Sequence, residues 1–96
     1  MIRGFGDDRT EDLFHGRPTR RARTIADTLA RAAIRKLDAL NAAHDLLDLR
    51  APPGNRLEAM RGDLAGFHSI RVNDQWRIVF RWLDGGAEGV SLIDYH

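Results

Sequence analysis

The stretch Gly66 to Trp82, GFHSIRVNDQWRIVFRW, constrains this chain more than any other. Apolar and polar residues alternate on either side of Asn73-Asp74-Gln75, a polar cluster of the kind that reverses a chain, so the segment predicts a β-hairpin. Parity then selects the turn. A three-residue loop at 73 to 75 sets Val72 against Trp76. It gathers Ile70, Val72, Trp76, Ile78 and Phe80 on one face, with Ser69, Arg71, Arg77, Val79 and Arg81 on the other. A two-residue loop would set Ile70 against Arg77 and Arg71 against Trp76, because a slip of one residue reverses every side chain. The odd loop is therefore expected, giving a sheet with one core face and one arginine-bearing face.

The remaining segments supply partners for the core face. Met1 to Phe5 reads as a short first strand. Asp8 and Glu11 have capping-box spacing and Gly16 is a helix stop, which predicts a short helix around Arg9 to His15. Ile25, Leu29, Ala33, Leu37 and Leu40 recur at spacings of four and three, the signature of a long amphipathic helix ending near Ala43 or His44. Pro52-Pro53-Gly54 interrupts regular structure between this helix and the β half. Arg56 to Met60 reads as a short strand and Ala87 to Asp94 as the last one. The order predicts an α+β fold, with an N-terminal strand and two helices packed on one face of a mostly antiparallel sheet.

Ninety-six residues suit one domain, 1–96, and 43% hydrophobic with 30% charged residues is the composition of a globular chain. No apolar run approaches the roughly 20 residues needed to cross a bilayer, and the acidic opening does not resemble a signal peptide, so a cytoplasmic location is expected. The absence of cysteine rules out disulfides and thiolate metal sites. All but Lys36 of the fifteen Lys and Arg residues are Arg, yet the net charge is only +1, too small to make the whole surface a nucleic-acid binder. Where the arginines sit therefore matters more than how many there are. Arg17, Arg20, Arg21 and Arg23 crowd the start of the long helix, either as a solvated charged end or as a contact for nucleic acid or an acidic partner.

The histidines, His15, His44, His68 and His96, form no paired metal-ligand spacing, so the sequence holds no metal constellation. The polar residues of the β half do converge. Arg71, Arg77 and Arg81 share a face by parity; Glu58 and Arg61 come from the preceding strand and turn, and Asp94, Tyr95 and His96 from the last strand. Guanidinium groups can hold a phosphodiester, a carboxylate or imidazole can move a proton, and an aromatic ring can stack on a base. The plainer reading of Arg71 and Arg81 is a solvated sheet face, and that of Trp76 and Trp82 is core packing.

The opening MIRGF, Leu13 to Gly16, RKLDALNAA, PPGNRLEAMRGD, SIRVNDQWRIVFRW and the closing DYH together resemble HigB-type killer proteins of bacterial toxin–antitoxin systems, a branch of the RelE superfamily. The resemblance implies a RelE-like fold and a ribosome-dependent mRNA endonuclease that uses the ribose 2′-OH as nucleophile, with no metal or cofactor expected. It also implies neutralisation by a helix-turn-helix, HigA-type antitoxin, with operator DNA reached only through that antitoxin. The family's functional positions fall on Glu58, Arg61, Arg77, Asp94, Tyr95 and His96, with Arg71 a secondary candidate, while Arg81 is a candidate phosphate contact by its place on the same sheet face. The best-known pattern has His in place of Glu58 and Lys in place of Arg61. An ordinary glutamate, near 4.3, is a weaker base at neutral pH than a histidine near 6.5, so Glu58 and His96 are rival bases. Two alternatives stand beside this reading: a ParE-like gyrase inhibitor on the same fold, and a catalytically weak relic that only binds antitoxin.

Overall fold

The computed structural model describes residues 1–95. Its frame is an antiparallel meander in the order β1-β2-β3-β4, built from Glu58–Ala59 (β1), His68–Arg71 (β2), Trp76–Leu83 (β3) and Gly86–Asp94 (β4). Helices Asp8–His15 (α1), Arg20–Arg23 (α2) and Asp27–Ala42 (α3) precede it, and 3-10 turns at Leu46–Arg50 and Pro53–Asn55 lead into β1.

The hairpin has the odd loop. Ile70 lies opposite Ile78 and Arg71 opposite Arg77, and the Val72 amide donates to the Trp76 carbonyl at 2.9 Å. Asn73 closes the turn with its side chain, whose Oδ1 accepts from the amides of Gln75 at 2.9 Å and Trp76 at 2.8 Å. An Asn at this position replaces a backbone acceptor and fixes the register from within the loop. Ile70, Ile78 and Phe80 are fully buried against Ala33, Leu37 and Leu40 of α3, with Val90 and Leu92 of β4 beside them. Trp76 and Trp82 pack on the edge of this core.

The other face is not simply solvated. Ser69 and Val79 are buried there, as is Met60, whose amide donates to the Phe67 carbonyl beside β2. A bulge in β4 bends the sheet: Val79 faces Ser91, but Arg81 faces Glu88. Gly89 absorbs the extra residue at φ +61°, a conformation that costs a residue with a Cβ about 1–2 kcal/mol. The shift restores Trp82 opposite Ala87, so both remain on the core side.

The expected first strand is reduced to parallel bridges on the outer edge of β4, Ile2 with Ala87 and Phe5 with Val90. Beyond them that edge is completed by a side chain. Thr10, fully buried on α1, accepts the Leu92 amide at 2.9 Å through Oγ1 and donates the same hydroxyl to Asp7 at 3.0 Å. Asp7, rather than Asp8, is the N-cap of α1, accepting the Thr10 amide at 2.6 Å, while Gly16 ends the helix in the left-handed region as expected. Thr10→Val keeps the shape but orphans a buried strand amide, so unfolding in urea should show a loss of about 1–3 kcal/mol.

The long helix begins later than its apolar spacing suggests. Ile25 is buried but precedes α3, because α2 ends at Thr24, whose hydroxyl donates to the Arg21 carbonyl at 2.7 Å. The chain then re-enters a helix at Asp27. A hydroxyl that satisfies the last carbonyls competes with helix continuation.

Candidate functional site

Arg77 is the most constrained arginine of the β half. Its side chain is only 11% exposed. Nε donates to Ser69 Oγ at 2.8 Å, and Nη2 donates to the Arg56 carbonyl at 2.7 Å and stands 3.6 Å from Glu58 Oε1. Ser69 of β2 lies directly opposite Glu58 of β1 and Val79 of β3, so Glu58 joins Ser69 and Arg77 on the sheet face to which parity assigns those two. Two of the three acceptors are neutral. The guanidinium is thus fixed in position while its charge is only partly balanced, by a Glu58 carboxylate that remains 53% exposed.

Beside this group lies a cavity of about 470 Å³ lined by Glu58, Ala59, Met60, Arg61 and Tyr95. Arg61 is exposed and has no ion-pair partner among the described residues. Tyr95 is 47% exposed, an uncommon placement for a large aromatic with no partner strand beyond it. The hairpin turn holds it there: the Tyr95 amide donates to the Gln75 carbonyl at 2.7 Å, and Gln75 Nε2 donates to Asp94 Oδ2 at 2.8 Å. Gln75 carries no sequence signal beyond its place in a turn, and its role as a clamp on the end of β4 emerges only in three dimensions.

Asp94 separates from the group in which the sequence placed it. It lies opposite Trp76, and antiparallel partners share a face, so it points to the helix side of the sheet while Tyr95 turns to the Arg77 side. There it borders a second cavity of about 600 Å³ with Asp7, Arg9, Arg21, Thr24 and Trp76. Arg9 sits 5.6 Å over the Trp76 ring. His96 lies outside the described residues.

The remaining arginines are dispersed. Arg71 faces Arg77 across the hairpin but is paired with Asp74 of the turn. Arg81, beyond the bulge, stacks 4.9 Å over Phe67 and borders a different cavity, of about 260 Å³, with Leu83, Glu88 and Gly89. The run before α3 is partly structural. Asp12, 1% exposed, accepts from Thr19 Oγ1 at 2.7 Å and Arg21 Nε at 2.6 Å, and pairs with Arg17 at 3.5 Å, tying α2 to α1. Arg20 and Arg23 make no such contact and are exposed among the described residues.

The Thr19 hydroxyl, then the Arg21 guanidinium, hold the Asp12 carboxyl below its ordinary value, against the opposing effect of burial. A lowered folded-state value means that the ionised carboxylate stabilises the fold above its unfolded value, about 3.9, and that this contribution is lost as pH falls through the folded value. Urea midpoints followed from pH 7 downward should therefore fall in acid for the native chain. Asp12→Asn should start lower at pH 7 and converge with it in acid.

The match to a family model, a RelE-like toxin of the type II toxin–antitoxin system HigB, extends over residues 3–96. Toxin HigB-1 of Vibrio cholerae is 50% identical over 73 residues, 76% of this chain and 77% of that protein. Endoribonuclease HigB of Proteus vulgaris is 39% identical over 41 residues, 43% of this chain and 45% of that protein. Among solved structures, a YafQ variant from E. coli superposes with a TM-score of 0.64 at 10% identity, covering 98% of this chain and 93% of that one. YoeB, solved in complex with YefM from Staphylococcus aureus, gives 0.61 at 14% identity, covering 100% and 98%. At these identities the two structures share the fold. The sheet and helices thus have the RelE-like arrangement, and the family pattern runs along nearly the entire sequence: the chain belongs to the HigB-like, RelE-like toxins of type II toxin–antitoxin systems.

Proposed function

We propose that this chain is an endoribonuclease that cuts mRNA on the ribosome, at the cleft bounded by Glu58, Arg61 and Tyr95 beside Arg77. The observation that carries the reading is Arg77: a guanidinium 11% exposed, immobilised by a hydroxyl and a carbonyl, next to an open polar cavity. The relative from Proteus vulgaris named as an endoribonuclease supports the same chemistry.

In this reaction the ribose 2′-oxygen attacks the adjacent phosphorus, a new P–O2′ bond forms, and the P–O5′ bond breaks. The 2′ proton passes to a base and the leaving 5′ oxygen receives a proton from an acid, leaving a 2′,3′-cyclic phosphate and a 5′-hydroxyl. The RNA supplies its own nucleophile, so no metal-activated water is needed. Arg77 and Arg61 neutralise the charge that grows on the phosphorane oxygens. Glu58 and His96 are assigned the proton transfers, and the exposed Tyr95 ring orients the flanking base or ribose. Asp94, across the sheet, is assigned to holding the chain end through Gln75 rather than to proton transfer. So small a cleft cannot impose the in-line geometry alone; the ribosome's grip on the mRNA supplies it. Neutralisation is assigned to a helix-turn-helix antitoxin, with the exposed Arg20 and Arg23 available to an acidic surface.

Mapping mRNA ends on translating ribosomes tests this. Cuts bearing a 2′,3′-cyclic phosphate and a 5′-hydroxyl are expected, and they should vanish in Glu58→Ala combined with His96→Ala. A DNA-damage response with intact mRNA would point instead to gyrase inhibition and would defeat the proposal.

A further inference from the structure

Arg77 is held from outside the sheet by a backbone oxygen 21 positions earlier in the chain, and the arrangement behind that oxygen is fully built. Asn55 is 0% exposed. Its Nδ2 donates to the carbonyls of Leu49 and Ala51, each at 3.2 Å, and its Oδ1 accepts from Lys36 of α3. Lys36 is the one lysine of the chain and is half-buried, so the rigid core helix is tied directly to the loop. The next residue, Arg56, takes the left-handed conformation at φ 45° and ψ 54°, and its carbonyl receives the Arg77 Nη2 proton at 2.7 Å. A long β-unbranched residue in that region persists only where its surroundings over-determine it. Pro53 and Asn55 provide that constraint, because the Asn55 amide donates to the Pro52 carbonyl at 2.9 Å and the Arg56 amide to the Pro53 carbonyl at 3.1 Å.

We propose that Asn55 is a positioning residue for Arg77: with Lys36 it locks the 49–56 loop so that the left-handed Arg56 presents its carbonyl to the guanidinium. Ser69 fixes Nε and the loop fixes Nη2, so two rigid acceptors on different elements define the guanidinium plane. Nη2 also stands 3.6 Å from Oε1 of Glu58, which lines the cleft. The Pro-Pro-Gly-Asn sequence then has a role in the reaction beyond linking the helical half of the chain to β1. This assignment rests on the endonuclease reading for its catalytic consequence, but its structural half can be measured without any cleavage.

The test pairs two readouts on Asn55→Ala, with Asn55→Asp, which keeps an acceptor for Lys36 but loses both donors, taking its place if the alanine variant does not fold. In guanidinium NMR of the isolated chain, rotation about the Arg77 Cζ–Nε bond should speed up by about ten-fold or more once the Arg56 carbonyl is released. In ribosome-bound mRNA cleavage, kcat should fall about ten- to a hundred-fold with KM little changed, as expected for a displaced catalytic group. In an Arg77→Ala background the same change should add almost nothing, because the group it positions is gone. Unchanged Arg77 rotation, or losses in kcat that multiply independently, would overturn the proposal. Freed Arg77 rotation together with cleavage that survives Arg77→Ala would uphold the positioning and refute the endonuclease site instead.

Discussion

Arg77→Ala is expected to lower mRNA cleavage by about 10²- to 10³-fold, with most of the loss in kcat, because one preorganised donor aimed at developing charge is worth roughly 3–4 kcal/mol. The size of the effect follows from how little freedom the side chain has. Held at 11% exposure between Ser69 Oγ and the Arg56 carbonyl, the guanidinium has already lost its rotamer entropy in the free protein and needs no rearrangement when the phosphate charge grows. Arg77→Lys should fail almost as badly, since a single ammonium cannot bond to both acceptors and still face the cleft. Single-turnover cleavage at saturating ribosome concentration is the direct measurement, with thermal unfolding of each variant as the control. Retention of more than half the native rate in a folded alanine variant would remove Arg77 from the site.

Phe80→Ala should be the most destabilising single change, at about 3–5 kcal/mol. Phe80 is 0% exposed at the centre of β3, with His68 stacked at 6.4 Å and Trp82 edge-on at 6.4 Å. Its removal opens a cavity between the sheet and α3 that backbone hydrogen bonds on both sides keep from collapsing. A domain of this size has a total stability of about 5–15 kcal/mol, so the variant should melt at a temperature lower by at least about 12 °C. The same strand carries Arg77 on its other face, and β2 carries Ser69, so partial loosening of this core should also lower cleavage before global unfolding. Phe80→Leu, which keeps most of the volume, should cost less than half as much. Equal costs for the two would mean that the ring fills no defined space.

Much of this was legible in the residues. The hairpin register followed from alternation around Asn73-Asp74-Gln75, since a side-chain period of two leaves only one loop parity that keeps Ile70, Ile78 and Phe80 together. The helical spacing of Ala33, Leu37 and Leu40 likewise marked the face that packs on them. The helix break at Thr24 to Ala26 was less visible, because Ile25 fits the apolar period and only its contacts show that it anchors a turn rather than a helix. The arginine run before α3 was visible as charge, but its division into Arg17 and Arg21, bound to Asp12, and the exposed Arg20 and Arg23 depends on a buried carboxylate five residues before the first of them.

For the candidate site, the alternation of β3 and β4 was enough to show that Asp94 and Tyr95 could not share a face, but not which of them turned toward Arg77. That depended on Asp94 pairing with Trp76, a register set by the bulge at Gly89 and by Gln75 gripping the chain end. Local periodicity in the residues was enough for an antiparallel sheet, its core face and the placing of Ser69 and Arg77 on the opposite face; that Glu58 joins them follows from its pairing with Ser69. Whereas Arg71 pairs with the exposed Asp74 and Arg81 stacks on Phe67, the three-dimensional fold was needed to show that Arg77 is the hairpin arginine held by two fixed neutral acceptors. Its second acceptor is a backbone carbonyl on a distant loop, and every residue carries a carbonyl, so no residue type announces which one a folded chain will use.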